Sequence, residues 1–275
     1  MSTPLIITLS VLGGIFLLLL IAYIILIAPG KKGDIEKYKS VRFAHRGLHN
    51  GERAENSMSA FRAAVDAGFG IELDVRLSAD GELVVFHDDT LTRVAKIDGR
   101  VDAFSADELA KMSLSGTGEG IPRFSEVLSM VDGRVPLLVE IKEDAGKYAV
   151  SDAVAKIMQD YGGPYIIESF NPLSLGNIKK KLPSATRGFL SQRFLSDPNY
   201  RKPLYFLLQC LLTNRISSPS FIAYNREHAG AFALKVIRLF GTVTYAWTVR
   251  SPEEEAEAYR RGFDSVIFEN YIPEK

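Results

Sequence analysis

The sequence predicts a closed (β/α)8 barrel preceded by one membrane-spanning helix, and three observations carry that reading. Residues 5–28 hold no charged side chain and are mostly Leu, Ile and Val, more than the roughly 20 apolar residues a bilayer-crossing helix needs. After residue 39, apolar strand-like runs alternate with amphipathic stretches about eight times, the rhythm of a parallel sheet coated by helices. The roughly 235 residues available to that rhythm suit the ~250-residue size of a closed barrel. An open doubly wound sheet is the alternative, but the turn after the first strand lacks a Gly-rich phosphate fingerprint.

Composition narrows the class of partner. Of 275 residues, 47% are hydrophobic and 24% charged, with Lys+Arg and Asp+Glu balanced at 33 each. A balanced charge gives no field that would favour nucleic acid. A single cysteine, Cys210, excludes an intrachain disulfide.

The N-terminal segment reads as an uncleaved anchor, residues 1–30. A cleavable signal peptide would carry a basic n-region, a shorter apolar core and a small-residue cleavage site. Here the first four residues have no Lys or Arg, and Ile27-Ala28-Pro29 is a poor cleavage site. Lys31, Lys32, Lys37, Lys39 and Arg42 all follow the span, so the positive-inside rule places the following domain in the cytoplasm. Residues 31–39 read as a polar linker, and residues 40–275 as the barrel.

Within the barrel, residues 41–44 form a first short strand. Residues 57–67 form a helix with Met58, Phe61, Ala64 and Val65 on one face. Residues 71–77 and 83–87 are strands joined by the turn Ala79-Asp80-Gly81, a hairpin signal. Helices follow at 105–112 and 124–131, then a strand at 134–142. The alternation continues with helix 148–159, strand 165–169, helix 173–181 and strand 186–190. It ends with strand 221–224, helix 227–240, strand 242–249, helix 253–261 and strand 265–268. Residues 192–220 break the rhythm as an insertion. Their segment 204–212 is very apolar and too short to span a bilayer, so it is either part of the helical coat or an interfacial helix lining a lipid entry route.

The polar residues inside the apolar runs carry the chemistry. Period two places Glu72 and Asp74 on one face of their strand, and Glu140 and Lys142 on one face of another. Carboxylates converging at the C-terminal ends of barrel strands repel unless a cation lies between them, and oxygen donors favour Mg2+ or Ca2+ over zinc. A solvated strand edge is the plainer reading of Glu72 and Asp74. His45 and His87 close two strands, and with Arg46 they fit an acid–base pair around a phosphate. His49 reads as a loop residue and His228 as a surface residue at a helix start. Asn56, next to Glu55, reads as a helix cap.

The run AHRG…ENS…AFRAAVDAGFGIELDVRLSADGELVVFHDDTLTR resembles the glycerophosphodiester phosphodiesterases, and the likeness continues through IPRFSEVLSMV, LLVEIK, ESFNP and AWTV. It covers the chain after the linker and leaves out the anchor. The resemblance implies a (β/α)8 barrel and a divalent cation, Ca2+ or Mg2+. By position, Glu72, Asp74 and Glu140 match the metal ligands, His45 and His87 the acid–base pair, and Arg46 and Lys142 the phosphate contacts. Glu55 matches a further site carboxylate, a candidate to approach the metal, and Phe170, Asn171 and Trp247 would line the pocket mouth. The chain departs from the family at Ala54, where Pro is common, and at Phe268-Glu269-Asn270-Tyr271, in place of Thr-Asp-x-Pro. The second departure bears on the pocket floor or a substrate contact and is expected to leave the metal and the histidines untouched.

The expected reaction is hydrolysis of a glycerophosphodiester to an alcohol and glycerol 3-phosphate. The anchor and the apolar segment keep a membrane lysophospholipid as an alternative substrate, cleaved in the manner of a lysophospholipase D. A reading of another class is a silent, membrane-bound barrel that binds phospholipid headgroups or a protein. Intact His45, Arg46, Glu72, Asp74, His87, Glu140 and Lys142 oppose it.

Overall fold

Short apolar runs punctuated by turns become strands, and their order closes them into a ring. The computed structural model describes residues 2–31 and 33–274. The strands are β1 (Phe43–Ala44), β2 (Gly70–Leu77), β3 (Leu83–Val85), β4 (Leu137–Ile141), β5 (Tyr165–Ser169), β6 (Arg187–Ser191), β7 (Phe221–Asn225), β8 (Val243–Val249) and β9 (Ser265–Phe268). All but β3 pair in parallel, and β1 closes the barrel by pairing with both β2 and β9. The predicted hairpin is present: β3 runs antiparallel to β2.

The helices that coat the barrel are α2 (Met58–Ala67), α4 (Phe124–Val131), α5 (Ala149–Gln159), α6 (Pro172–Lys181), α9 (Phe232–Leu239) and α10 (Pro252–Arg260), with a short α3 (Ala106–Leu109) beside the hairpin. In α2, Ser57 caps the N-terminus by accepting from the Ala60 amide, and Gly68 ends the helix at φ 75°. The face predicted to be apolar is the one buried, through Phe61, Ala64 and Val65. Two expected helices are shorter than their pattern. Residues 105–112 keep only one helical turn, and 227–240 split into a 3-10 turn (Arg226–His228) and α9, with Gly230 between them.

Three apolar clusters hold the fold. The largest lies between the sheet and its helices. The second plugs the barrel floor with Phe43, Leu138, Ile166, Phe221 and Tyr245, joined by Ile35 and Tyr38. The stretch expected to be a polar linker is therefore a stopper: Ile35 and Tyr38 are buried, and the Tyr245 hydroxyl donates to the Tyr38 carbonyl at 2.5 Å. Every other residue there is charged or small, which masked the two apolar anchors. The third cluster, with Val84, Phe86, Leu91, Leu109 and Ile121, is a small separate core under the hairpin.

Helix α1 (Thr3–Ile27) is 25 residues long with mean hydropathy 2.8 over its best window, long and apolar enough to cross a membrane by length and composition. Among its residues only Ile27 is buried. That end is fastened to the insertion, which holds α7 (Pro203–Gln209) and α8 (Asn214–Ser217). Asn214 Nδ2 donates to the Ile27 carbonyl at 2.7 Å, and Tyr23 stacks on Phe232 of α9 with ring centroids 6.0 Å apart. The apolar segment joins the helical coat through one side only. Leu208 and Leu211 are buried in the main core, while Leu204, Phe206 and Leu207 stay exposed.

Candidate active site

Parallel registry builds the acidic cluster. Asp74 of β2 lies beside Glu140 of β4, and Glu140 lies beside Glu168 of β5. Glu72 precedes Asp74 by two residues and shares its face. All four carboxylates are buried. Oxygen atoms of Glu72, Asp74 and Glu140 lie within 4.8 Å of one another.

Such a group needs compensating positive charge. Lys142 Nζ lies 2.6 Å from Glu140 Oε1 and 3.1 Å from Asp74 Oδ1. Arg46 Nε lies 3.5 Å from Asp74 Oδ2, and Asn56 Nδ2 donates to the same oxygen at 2.8 Å. Burial raises the Asp74 carboxyl, but Lys142, His87, Arg46 and Asn56 outweigh it and hold the group far below the usual carboxylate range. Glu72 goes the other way, pushed well up by burial and by the charges of Asp74 and Glu140. Glu168 is raised too, by burial and by the charges of Glu140 and Glu72.

The donor set fits a hard divalent cation. It is all carboxylate oxygen. Glu168 Oε2 has no hydrogen bond, and neither does Asp74 Oδ1 or Glu140 Oε1, to which Lys142 is near but poorly directed.

The turn after β1 explains the His-Arg-Gly triplet. Arg46 sits at φ 57° and Gly47 at φ 80°. A Cβ on Gly47 would come within 2.8 Å of the Ala60 backbone, so only glycine lets this turn lie against α2. The turn aims the Arg46 amide at Glu72 Oε2, 2.8 Å away, and sends its guanidinium to Glu55 at 2.7 Å.

Asn56 differs from its sequence reading, while Glu55 is a site carboxylate tied to arginines. Arg93 holds both Glu55 oxygens, at 2.6 and 2.8 Å, Arg46 holds Oε1, and Glu55 is not among the mutually close carboxylates. Burial pushes its carboxyl up, but the two arginines win and hold it down. Asn56 does not cap α2, a role taken by Ser57. At φ 55° its side chain turns instead to Asp74.

Each histidine is held by a carboxylate that an arginine holds in turn. His45 Nδ1 lies 2.6 Å from Glu269 Oε2, and Arg250 donates to Glu269 at 2.7 Å. His87 Nδ1 lies 2.5 Å from Asp88, which Arg93 holds at 2.6 Å. Engaging Nδ1 leaves Nε2 for the cavity, and His45 Nε2 is 4.0 Å from Glu72. Burial pushes both imidazoles below their ordinary range.

Glu269 corrects the expectation that the departure after β9 spares the histidines, because it is the partner of His45. It also draws in His49, expected to be a plain loop residue, whose Nε2 is 3.7 Å from Glu269. Glu168 and Glu269 each close an apolar run in the sequence, a signal that could have marked them. The pairing of Arg93 with Glu55 had no local signal. His228 is as peripheral as expected, its Nδ1 accepting from the Arg193 amide.

A cavity of about 180 Å3 joins His45, Arg46, Glu72, His87, Glu140 and Lys142. Phe170 and Trp247 form part of its wall and meet edge to face, with centroids 5.5 Å apart. Asn171 lies outside it. It caps α6 and lines an adjoining apolar cavity of about 570 Å3.

A carboxylate cluster flanked by two buttressed histidines and two cations at the top of a parallel barrel defines a site for acid–base chemistry on an anionic substrate. The chain belongs to the glycerophosphoryl diester phosphodiesterase family, whose model matches residues 45–272. A glycerophosphodiester phosphodiesterase of Caldanaerobacter subterraneus subsp. tengcongensis is 30% identical over 83% of this chain and 93% of its own length. Among solved structures, a Thermotoga maritima glycerophosphodiester phosphodiesterase is 28% identical with TM-score 0.65, covering 83% of this chain and 94% of that one. An Oleispira antarctica phosphodiesterase, solved with the product sn-glycerol-3-phosphate, is 23% identical with TM-score 0.71, covering 86% of this chain and 95% of that one.

Proposed function

We propose that this protein is a divalent-cation-dependent phosphoric diester hydrolase that cleaves glycerophosphodiesters to an alcohol and glycerol 3-phosphate. The observation that carries the reading is the convergence of Glu72, Asp74 and Glu140 with His45, His87, Arg46 and Lys142 on one cavity, in a chain of this family. The product named in the Oleispira antarctica complex is consistent with it.

Glu72, Asp74 and Glu140 would hold Ca2+ or Mg2+, which supplies charge neutralisation at the phosphoryl oxygens. Arg46 and Lys142 bind the non-bridging oxygens through charge-assisted hydrogen bonds. One histidine takes a proton from the attacking water, whose oxygen bonds to phosphorus. The other gives its proton to the alcohol oxygen as the phosphorus–oxygen bond breaks. Phe170 and Trp247 exclude water from one side.

The anchor reading places the site at a membrane, with α1 as a single span and the basic residues after it keeping the barrel in the cytoplasm. The test is to assay the full chain on glycerophosphocholine with Ca2+, with Mg2+ and in EDTA. Cation-dependent release of choline and glycerol 3-phosphate is expected. Full activity in chelator would overturn the cation's role, and inactivity with either cation on a panel of glycerophosphodiesters would overturn the reaction.

A further inference from the structure

A second group of metal-binding atoms lies outside the carboxylate cluster. His45, His49 and Glu269 each offer one donor atom, and the three atoms lie within 4.8 Å of one another. Backbone bonds fix their positions. The His45 amide bonds the Phe268 carbonyl, the His49 amide the Gly47 carbonyl, and the Glu269 amide the Val249 carbonyl. Glu269 Oε2 lies 2.6 Å from His45 Nδ1 and 3.7 Å from His49 Nε2, while Arg250 holds the other oxygen, Oε1. His49 Nε2 is buried and has no hydrogen-bond partner. Nothing in phosphodiester hydrolysis uses it.

These donors differ in kind from the all-oxygen cluster. Two imidazoles and a carboxylate suit Zn2+, with bonds of about 2.0–2.2 Å, whereas Mg2+ and Ca2+ prefer oxygen alone. Donor atoms around such a tetrahedral ion stand about 3.3–3.5 Å apart. The spacing of His49 and Glu269 is close to that already. The contact of His45 with Glu269 is a hydrogen bond, and it opens by under about 1 Å once an ion replaces the proton. A cavity of about 330 Å3, lined by His49, Glu269 and the exposed Asn50, Gly51 and Ile272, gives an ion its own approach. His45 lines the catalytic cavity, while His49 and Glu269 line this one. An ion on Nδ1 therefore acts on Nε2 through the ring.

Resting on the phosphodiesterase reading, we propose that His45, His49 and Glu269 form an inhibitory zinc site that disables His45 from behind. The ion bonds to His45 Nδ1, His49 Nε2 and Glu269 Oε2, with water as the fourth ligand. The Nδ1 proton leaves to solvent and Nε2 takes one up, so the ring stays neutral with its proton on the catalytic side. That nitrogen then has no lone pair to accept a proton, and giving its proton away would leave an imidazolate. Neither half of acid–base catalysis is open to it.

The test follows glycerophosphocholine hydrolysis by the full chain in saturating Mg2+ while Zn2+ is added, in wild type and in His49→Ala. Calorimetric titration of Zn2+ in the same Mg2+ counts the bound ions. Wild type is expected to be half-inhibited at a zinc concentration that a further, roughly tenfold rise in Mg2+ leaves unchanged. His49→Ala is expected to keep the wild-type rate without zinc, which shows that it is folded. It should need at least about tenfold more zinc for half-inhibition, since loss of even an outer partner costs a metal site that much, and bind one zinc ion fewer. Inhibition that Mg2+ relieves, equal in the two chains, overturns the proposal and puts zinc on the carboxylates. Equal zinc binding by the two chains, or zinc bound without inhibition, overturns it as well. A wild type that hydrolyses nothing overturns the phosphodiesterase reading, and the calorimetry still decides whether the three residues hold zinc.

Discussion

The two histidines sit in parallel arrangements of unequal rigidity. His45 follows β1, its amide bonds the Phe268 carbonyl, and its partner Glu269 directly follows β9, so both members of the pair belong to the closed ring. His87 lies beyond β3, on a hairpin outside the ring with its own small core. The side chain of His45 is 17% exposed and that of His87 32%. The chain has therefore fixed one histidine by the barrel itself and hung the other on an appendage. Arg93 ties that appendage back by reaching from Asp88 to Glu55, which Arg46 holds. The ring sets the geometry of one imidazole and a salt-bridged tie sets that of the other.

This contrast can be broken at several points. Removing either imidazole should cost the most. His45→Ala and His87→Ala are each expected to lower kcat on glycerophosphocholine by about 10²–10⁴-fold, and a wild-type rate in both would remove the histidines from the mechanism. The carboxylate partners should separate the two sides. Glu269→Gln is expected to lower kcat about ten- to a hundredfold, the scale of outer partners that fix an imidazole's tautomer. Asp88→Asn should cost less, because the more exposed His87 exchanges its lost partner for water. Equal losses would mean that the ring gives His45 no special rigidity.

The smallest effect is on acid stability. Burial would raise the Glu269 carboxyl, but His45, His49 and Arg250 outweigh it and hold it well below the usual range. A depressed folded-state pKa contributes stability that is present above the unfolded value of about 4.3 and lost as pH falls toward the folded one. Unfolding midpoints of the solubilised protein should therefore fall below about pH 4 more steeply in wild type than in Glu269→Gln. Identical curves would show that Glu269 forms no such pair.

Much of this site was legible in the sequence because strand periodicity is a local signal. Glu72, Asp74, Glu140 and Lys142 share a face for reasons contained in residues 71–75 and 139–142, and the register of β2 against β4 then brings the faces together. The apolar rhythm likewise gave eight barrel strands and the hairpin. What the sequence hid depends on contacts between distant residues. Glu269 meets His45 only because β9 closes against β1. Arg93 meets Glu55 only because the hairpin folds over the first loop. Asn56 was misread because Asn favours both a cap and a left-handed backbone, and the neighbouring Ser57 took the cap. The floor plug was missed because two apolar residues among lysines show no periodicity.

That plug has a consequence for traffic. With Ile35 and Tyr38 sealing the far end, the barrel is a vessel with one door. A phosphate monoester made inside must leave past the rim by which the next diester arrives, and it carries the charge that the arginine and lysine attract. Inhibition by glycerol 3-phosphate is therefore expected to be competitive, raising the apparent KM at constant kcat, and a fall in kcat alone would point to a binding site apart from the substrate's.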